Sequence, residues 1–315
     1  MDRREFLGGL AAGAAWLRLA SPRGPLFREI RAVTEVSGAQ GKVKSLGAAR
    51  AYDRKTLVIA HGSDPQTLIE KGLRQLGGIG RLVKHGSSVV IKPNFSVAQR
   101  PEVAATTNPV LVAAVVRQCL AAGAKEVEVI DYPFSGPQCL VISGIEAAVR
   151  GAGGKAFNID SESHFTEVNM KQAILKKALY STDVLKADVL INMPILKNHS
   201  LTTVTMALKG MMGLVWDRGF FHSTDLFQTI AELNAYRKPD LIILDAIRGI
   251  IDNGPTGPGR IRTWKQVIFG VDPVAVDAYG ALLYGVQPSA VRYIADAAHL
   301  GVGEIDLKKL TVKKV

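Results

Sequence analysis

The sequence predicts an α/β fold: a mainly parallel sheet with helices on both faces, organised as one or two lobes with a small antiparallel insertion. Three observations carry this. Beyond residue 55, short apolar runs alternate with longer stretches of helical periodicity, the pattern of βαβ units. Several of those runs, such as VLIN at 189–192 and LIIL at 241–244, are continuously apolar, as expected of strands buried on both faces. Hydrophobic residues make up 47% and charged residues 21% of the 315, the mix of a globular protein rather than a disordered one.

Taken in order, seven runs read as strands: 56–60, 88–91, 127–130, 155–159, 189–192, 241–244 and 266–269. Seven stretches read as helices: 66–76, 109–122, 140–151, 203–214, 226–236, 274–283 and 289–298. Residues 165–168 and 174–178 read as the inserted antiparallel pair. All of this falls in an α/β domain at 52–315. Before it, residues 1–20 place Arg3-Arg4 ahead of Phe6-Leu7 and a short Gly/Ala-rich apolar stretch, the layout of a twin-arginine signal peptide. That stretch falls short of the ~20 residues a bilayer span needs. Residues 21–51, with Pro22, Pro25 and scattered Arg and Lys, read as a linker. The expected partner is therefore the twin-arginine export machinery, the expected location the periplasm or the outer face of the cytoplasmic membrane, and no transmembrane span is expected in the mature protein.

Thirty-nine Lys and Arg against 28 Asp and Glu give a net charge of +11, which suits an acidic partner. Aromatic residues are only 6% and do not interleave with basic runs, so nucleic acid is not the expected partner; a small anionic molecule is. Two cysteines, Cys119 and Cys139, are too few for a metal or cluster framework, and sequence leaves open whether they pair.

Ligands of open parallel sheets bind beyond the carboxyl ends of the strands. Five predicted strands run there into polar residues: Lys92-Pro93-Asn94, Asp131-Tyr132-Pro133, a segment ending in Lys197-Asn198-His199, Asp245-Ala246-Ile247-Arg248, and Gly270-Val271-Asp272-Pro273. His199 and Lys197 are the acid–base candidates, the lysine charge tending to lower the imidazole pKa. Lys92, Asn94, Thr107, Asn108, Lys209, Arg248 and Arg260 are the candidates for holding an anion, with Asn108-Pro109 opening a helix. Asp131, Asp245 and Asp272 read as ligands of a hard cation or as partners of the lysines. The Gly/Pro loop at 254–259 lacks the Gly-Lys-Ser/Thr ending of a phosphate loop and reads either as a stiff turn or as a lid. A binding protein without chemistry, or an accessory subunit of a redox or metal-maturation complex, are the rival readings.

These motifs together resemble the domain-of-unknown-function 362 family. The resemblance runs through VVIKPNFS at 89–96, TTNPVLVAAVV at 106–116, ADVLINMPILKNHSLTTVTMALKGMMGLV at 187–215, PDLIILDAIRGIIDNGPTGPG at 239–259 and VDPVAVDAYGALLYG at 271–285, covering roughly residues 55–302. It implies no general activity. Many relatives carry a ferredoxin-type segment, but with two cysteines this chain is expected to hold no iron–sulfur cluster. The family usually has Lys-Thr-His at the position of Lys197-Asn198-His199, and Lys-Asn at the position of Lys209-Gly210, where this chain lacks the amide. The sheet order is also similar in outline to that of the nickel-pincer lactate racemases, at the level of fold.

Two measurements check these expectations. Replacing Arg3 and Arg4 together by Lys should leave folded protein in the cytoplasm, read by fractionation; undiminished periplasmic yield removes the twin-arginine reading. The purified chain should show no cluster absorbance and no stoichiometric iron.

Overall fold

The computed structural model describes residues 51–315. The expected signal segment, and all but the last residue of the expected linker, lie outside these. Among the described residues there are twelve strands: β1 (Thr56–His61), β2 (Ser88–Pro93), β3 (Glu126–Asp131), β4 (Lys155–Asn158), β5 (Phe165–Asn169), β6 (Lys177–Ser181), β7 (Val189–Met193), β8 (Lys197–His199), β9 (Thr203–Thr205), β10 (Leu241–Ile250), β11 (Ile261–Gly270) and β12 (Thr311–Lys314). Eight form one sheet in the order β12-β1-β11-β10-β7-β2-β3-β4. Every neighbouring pair is parallel except those made by β11, which runs against both β1 and β10. β5 and β6 form the antiparallel insertion, and β8 and β9 a second small hairpin.

The helices are α1 (Pro65–Gln75), α2 (Pro109–Ala121), α3 (Cys139–Ile142), α4 (Ile145–Gly151), α5 (Thr182–Lys186), α6 (Ala207–Gly210), α7 (Arg218–Ser223), α8 (Leu226–Tyr236), α9 (Pro273–Tyr284) and α10 (Arg292–His299). Three of the longest share one start signal. Asp64-Pro65, Asn108-Pro109 and Asp272-Pro273 each place a side-chain acceptor at the cap, bonded to a free backbone N–H of the first turn, and a proline where no N–H is needed. Cores on the two faces of the sheet follow the period of two. Along β10, Leu241, Ile243 and Ile247 join α1, α2 and α4 on one face, while Ile242, Leu244 and Ala246 join α8, α9 and α10 on the other. Both cysteine thiols are free and buried in the first of these cores. Among the described residues no helix is long and apolar enough to cross a membrane.

The observed elements depart from the expected ones in four places, each for a physical reason. The stretch 203–214 is not one helix: its β-branched start, Thr203–Thr205, pairs with β8, and only Ala207–Gly210 is α-helical before a 3-10 turn at Met211–Leu214. The stretch 140–151 breaks at Gly144, whose φ of 72° lies in the left-handed region. β10 and β11 run well beyond 241–244 and 266–269, because as an antiparallel ribbon they support each other past the point where β10 leaves β7. Asp245 to Arg248 is therefore strand rather than turn, with a bulge between Ala246 and Arg248. Finally, since β11 is reversed, its carboxyl end lies at the opposite edge of the sheet. Asp272 sits there, accepting from Val274 N, Ala275 N and Glu304 N, and takes no part in the strand rim that carries Lys92.

The face shared by α1 and β11 has no slack. A Cβ on Gly72 would lie 2.1 Å from the ring of Phe269. Gly72→Ala is expected to destabilise by about 1–3 kcal/mol despite the better helix propensity of alanine, measured as a lowered denaturant midpoint.

Candidate anion-binding site

β2 and β3 end side by side, and their last polar side chains meet. Lys92 Nζ lies 3.0 Å from Asp131 Oδ1 with both side chains buried, and it also donates to the Pro93 carbonyl at 2.8 Å. Asp131 is further fixed by accepting from Phe95 N at 3.0 Å and Tyr132 N at 2.9 Å. An ion pair so enclosed is held by these extra hydrogen bonds as much as by its own attraction.

Lys197, on β8, is likewise buried. Its ammonium donates to Asn94 Oδ1 at 3.2 Å, Ala105 O at 2.6 Å and Pro255 O at 2.9 Å, which uses all three of its protons. It thereby ties the end of β2, the segment before α2 and the Gly/Pro loop to one point. The loop is held again by Gly254 N donating to Asn198 Oδ1 and Ser200 N to Gly254 O, so it is a stiff turn and not a lid. Burial, and then the charge of Lys209, pull the Lys197 pKa down to about 7.

Lys209 differs from these two. It is half-buried, and its ammonium has no oxygen acceptor; its one polar neighbour is the Met212 sulfur at 3.9 Å. Burial, reinforced by Arg218 and Lys92, draws its pKa to about 8. Arg218 lies 3.9 Å over the ring of Tyr132 and donates to the Tyr132 carbonyl at 3.4 Å. His222, one turn further along α7, keeps part of its surface in solvent; the desolvation of its inner side, then Lys209 and Arg218, lower its pKa.

His199 does not have the geometry of a general base. Its Nδ1 accepts from Leu201 N at 3.1 Å and Thr202 N at 3.4 Å, so the proton of the neutral ring sits on Nε2. Burial first, then Lys209, Lys197 and His222, push the pKa down to about 2. At neutral pH this imidazole is an uncharged N–H donor.

The short helix bearing Lys209 is anchored by three side chains that are wholly buried. Asp277 of α9 accepts from Ala207 N at 2.8 Å and Leu208 N at 3.0 Å; Asn234 of α8 donates to Leu208 O at 2.9 Å; Asn192 of β7 donates to Ala207 O at 2.9 Å. Burial raises the Asp277 pKa to about 7. The turn that follows lies directly on the Lys92–Asp131 pair: a Cβ on Gly213 would be 2.3 Å from Asp131 Oδ1 and 3.0 Å from Lys92 Nζ.

Of the residues expected from sequence, Lys92 is joined to Asp131 by the ion pair, and Asn94 to Thr107 and Lys197 by direct hydrogen bonds, while Lys209 and His199 are coupled to Lys197 by charge. The Thr107 hydroxyl is fully used, accepting from Asn94 N and donating to Met193 O, so its role is structural. Asn108 caps α2 and gives its own N–H to Asp245, which also accepts from Ile247 N. Arg248 donates to Pro101 O. Asp245, Asn108 and Arg248 line a separate small cleft with Thr106 and Ile195. Arg260 is exposed and paired with Asp252. Sequence reasoning missed Arg218 and His222, which follow no strand, and the anchors Asn192, Asn234 and Asp277. Among the described residues no group of three or more His, Cys, Asp or Glu is placed to hold a metal ion.

An α/β protein whose sheet rim holds a buried Lys92–Asp131 pair and a buried Lys197, with Lys209 and Arg218 close enough to be felt as charges, is the class defined by this geometry. The chain belongs to the family described as domain of unknown function (DUF362), whose profile matches residues 89–282. It is 27% identical over 277 residues to the thylakoid-associated protein sll1697 of Synechocystis sp., covering 83% of this chain and 80% of that one. Among solved structures it is similar to the lactate racemase apoprotein of Thermoanaerobacterium thermosaccharolyticum, with a TM-score of 0.48 and 12% identity over 71% of this chain. This chain spans 56% of the racemase chain.

Three substitutions test the anchoring. Gly210 has helical φ and ψ of −54° and −32°, and a Cβ there meets nothing closer than 3.7 Å, so Gly210→Ala should stabilise by roughly 0.5–1 kcal/mol. Gly213→Ala should cost about 1–3 kcal/mol, because the carboxylate and ammonium it strikes are both pinned. Asp277→Asn puts an amide N–H against a backbone N–H and should cost about 1–3 kcal/mol. Urea midpoints read all three.

Proposed function

We propose that the protein binds a small anionic molecule at the carboxyl ends of β2, β3 and β7. The observation that carries this reading is the charge balance: among the described residues Lys197 and Arg218 each lie in the field of Lys209 or Lys92, and the carboxylate set against these four cations, Asp131, is ion-paired with Lys92. Lys92 and Lys197 are already satisfied within the protein, so Lys209 and Arg218 are the cations left to meet a ligand, with the neutral His199 as a further donor. That state of His199 supports binding over histidine-based proton transfer. We propose also that the chain reaches its site through the twin-arginine route; a relative described as thylakoid-associated supports association with a membrane surface.

Thermal melts in inorganic phosphate and in malonate test the site. Wild type should be stabilised by one or both at neutral pH, Arg218→Gln and Lys209→Met should lose most of that shift, and Arg260→Ala should keep it. The stabilisation should fade as pH rises through about 8, where Lys209 loses its proton. Without ligand the sign is opposite. The folded-state pKa of Lys209 lies below its unfolded value of 10.5, so the penalty of burying its charge is full below about pH 8 and is relieved between about 8 and 10.5. Wild type should gain stability over that interval, and Lys209→Met should gain less. Equal anion-induced shifts in wild type and both rim variants would overturn the proposal.

A further inference from the structure

The cations of the rim are not equivalent, and the exception is Lys209. Lys92 has Asp131, Lys197 has three oxygen acceptors, and Arg218 has the Tyr132 ring and carbonyl. The Lys209 amine has no oxygen partner. It is nevertheless the most carefully placed of the four, since Asp277, Asn234 and Asn192 commit three buried polar side chains to the backbone of its short helix. A salt-bridging lysine needs no such frame. An amine that must meet a reacting atom does.

We propose that Lys209 is a nucleophilic amine that condenses with the carbonyl group of a small oxo acid bound at this rim. The inference rests on the anion site proposed above and names its ligand class: the carboxylate is held by Arg218, with the His199 N–H as second donor, and the ketone or aldehyde carbon is presented to Nζ. The unprotonated amine attacks the carbonyl carbon with its lone pair, giving a carbinolamine. Loss of one water leaves an imine, so amine and carbonyl become imine and water with no oxidant or reductant required. The charged groups facing Lys209 are Lys92 and Arg218, with Lys197, His199 and His222 also in its field; of the carboxylates around it, Asp131 is taken up by Lys92, and the buried Asp277 accepts from the backbone N–H groups of Ala207 and Leu208. The joint effect of the cations, on top of burial, keeps a usable share of the amine unprotonated near neutral pH.

The test is reductive trapping on the full chain. Pyruvate and cyanoborohydride at about pH 7.5 should convert Lys209 to its carboxyethyl derivative roughly tenfold or more faster than exposed lysines such as Lys55 and Lys177, read by peptide mapping. Lys209→Arg removes the nucleophile and should abolish the fast adduct, whereas Arg260→Ala, away from the rim, should leave both the fast adduct and the melt shift in malonate unchanged. Adducts spread evenly over exposed lysines, or concentrated on Lys197, overturn the proposal. A malonate shift in wild type without fast trapping at Lys209 sinks the nucleophile and leaves the anion site standing, whereas loss of both sinks both.

Discussion

A charge taken out of water must find a partner or give up its proton, and the rim of this sheet gathers four cationic side chains with a single carboxylate, Asp131, ion-paired to one of them. Each cation meets the constraint differently. Lys92 takes the carboxylate. Lys197 takes three oxygens drawn from three separate chain segments, and so turns its charge into a fastening for the loops. Arg218 spreads its weakly hydrated guanidinium over an aromatic face, which lysine cannot do as well. Lys209 is left with burial and like charges alone. The local chain geometry follows from this arrangement: Gly213 is glycine because the 3-10 turn crosses the Lys92–Asp131 pair at contact distance, and β8 and β9 pair so that Lys197 reaches the end of β2, the segment before α2 and the Gly/Pro loop.

The frame around α6 shows what positioning costs. Asp277 sits in the middle of an otherwise apolar helix, Asn234 near the end of α8, and Asn192 near the end of a strand in the centre of the sheet. Apolar residues at these positions would pack with no desolvation penalty, and Asn192 and Asn234 each leave a side-chain oxygen unpaired. Polar groups were kept where they fix the backbone of four residues. Such expense is typical of sites that must be ready before a ligand arrives.

Much of this was legible in the sequence. The continuous apolar runs located the parallel strands, and Asn108-Pro109 marked a helix start that the structure keeps. Lys92, Asp131 and Lys197 were readable as rim residues because parallel strands bring their carboxyl ends to one edge. Asp272 was misplaced for the converse reason: nothing in residues 266–269 distinguishes a reversed strand from a parallel one, and direction is decided by the long ribbon with β10. Arg218 and His222 were hidden because α7 reaches the rim from the side, by tertiary packing alone. Asp277 did leave a signal, a lone acid among VDPVAVDAYGALLYG, which periodicity reads as a defect and the fold uses as a cap for another helix.

The last strand has a different consequence. β12 lies parallel to β1 at one margin of the sheet, and the backbone pairing continues past it, with His61 N bonded to Val315 O and Val315 N to Ile59 O. Its sequence is TVKK, with Lys313 and Lys314 exposed, and the opposite margin, β4, begins at the exposed Lys155. An unpaired strand edge invites the edge of another molecule, and lysines along it make such stacking electrostatically unfavourable. The lysines at these two margins thus work against copies of this protein joining sheet to sheet.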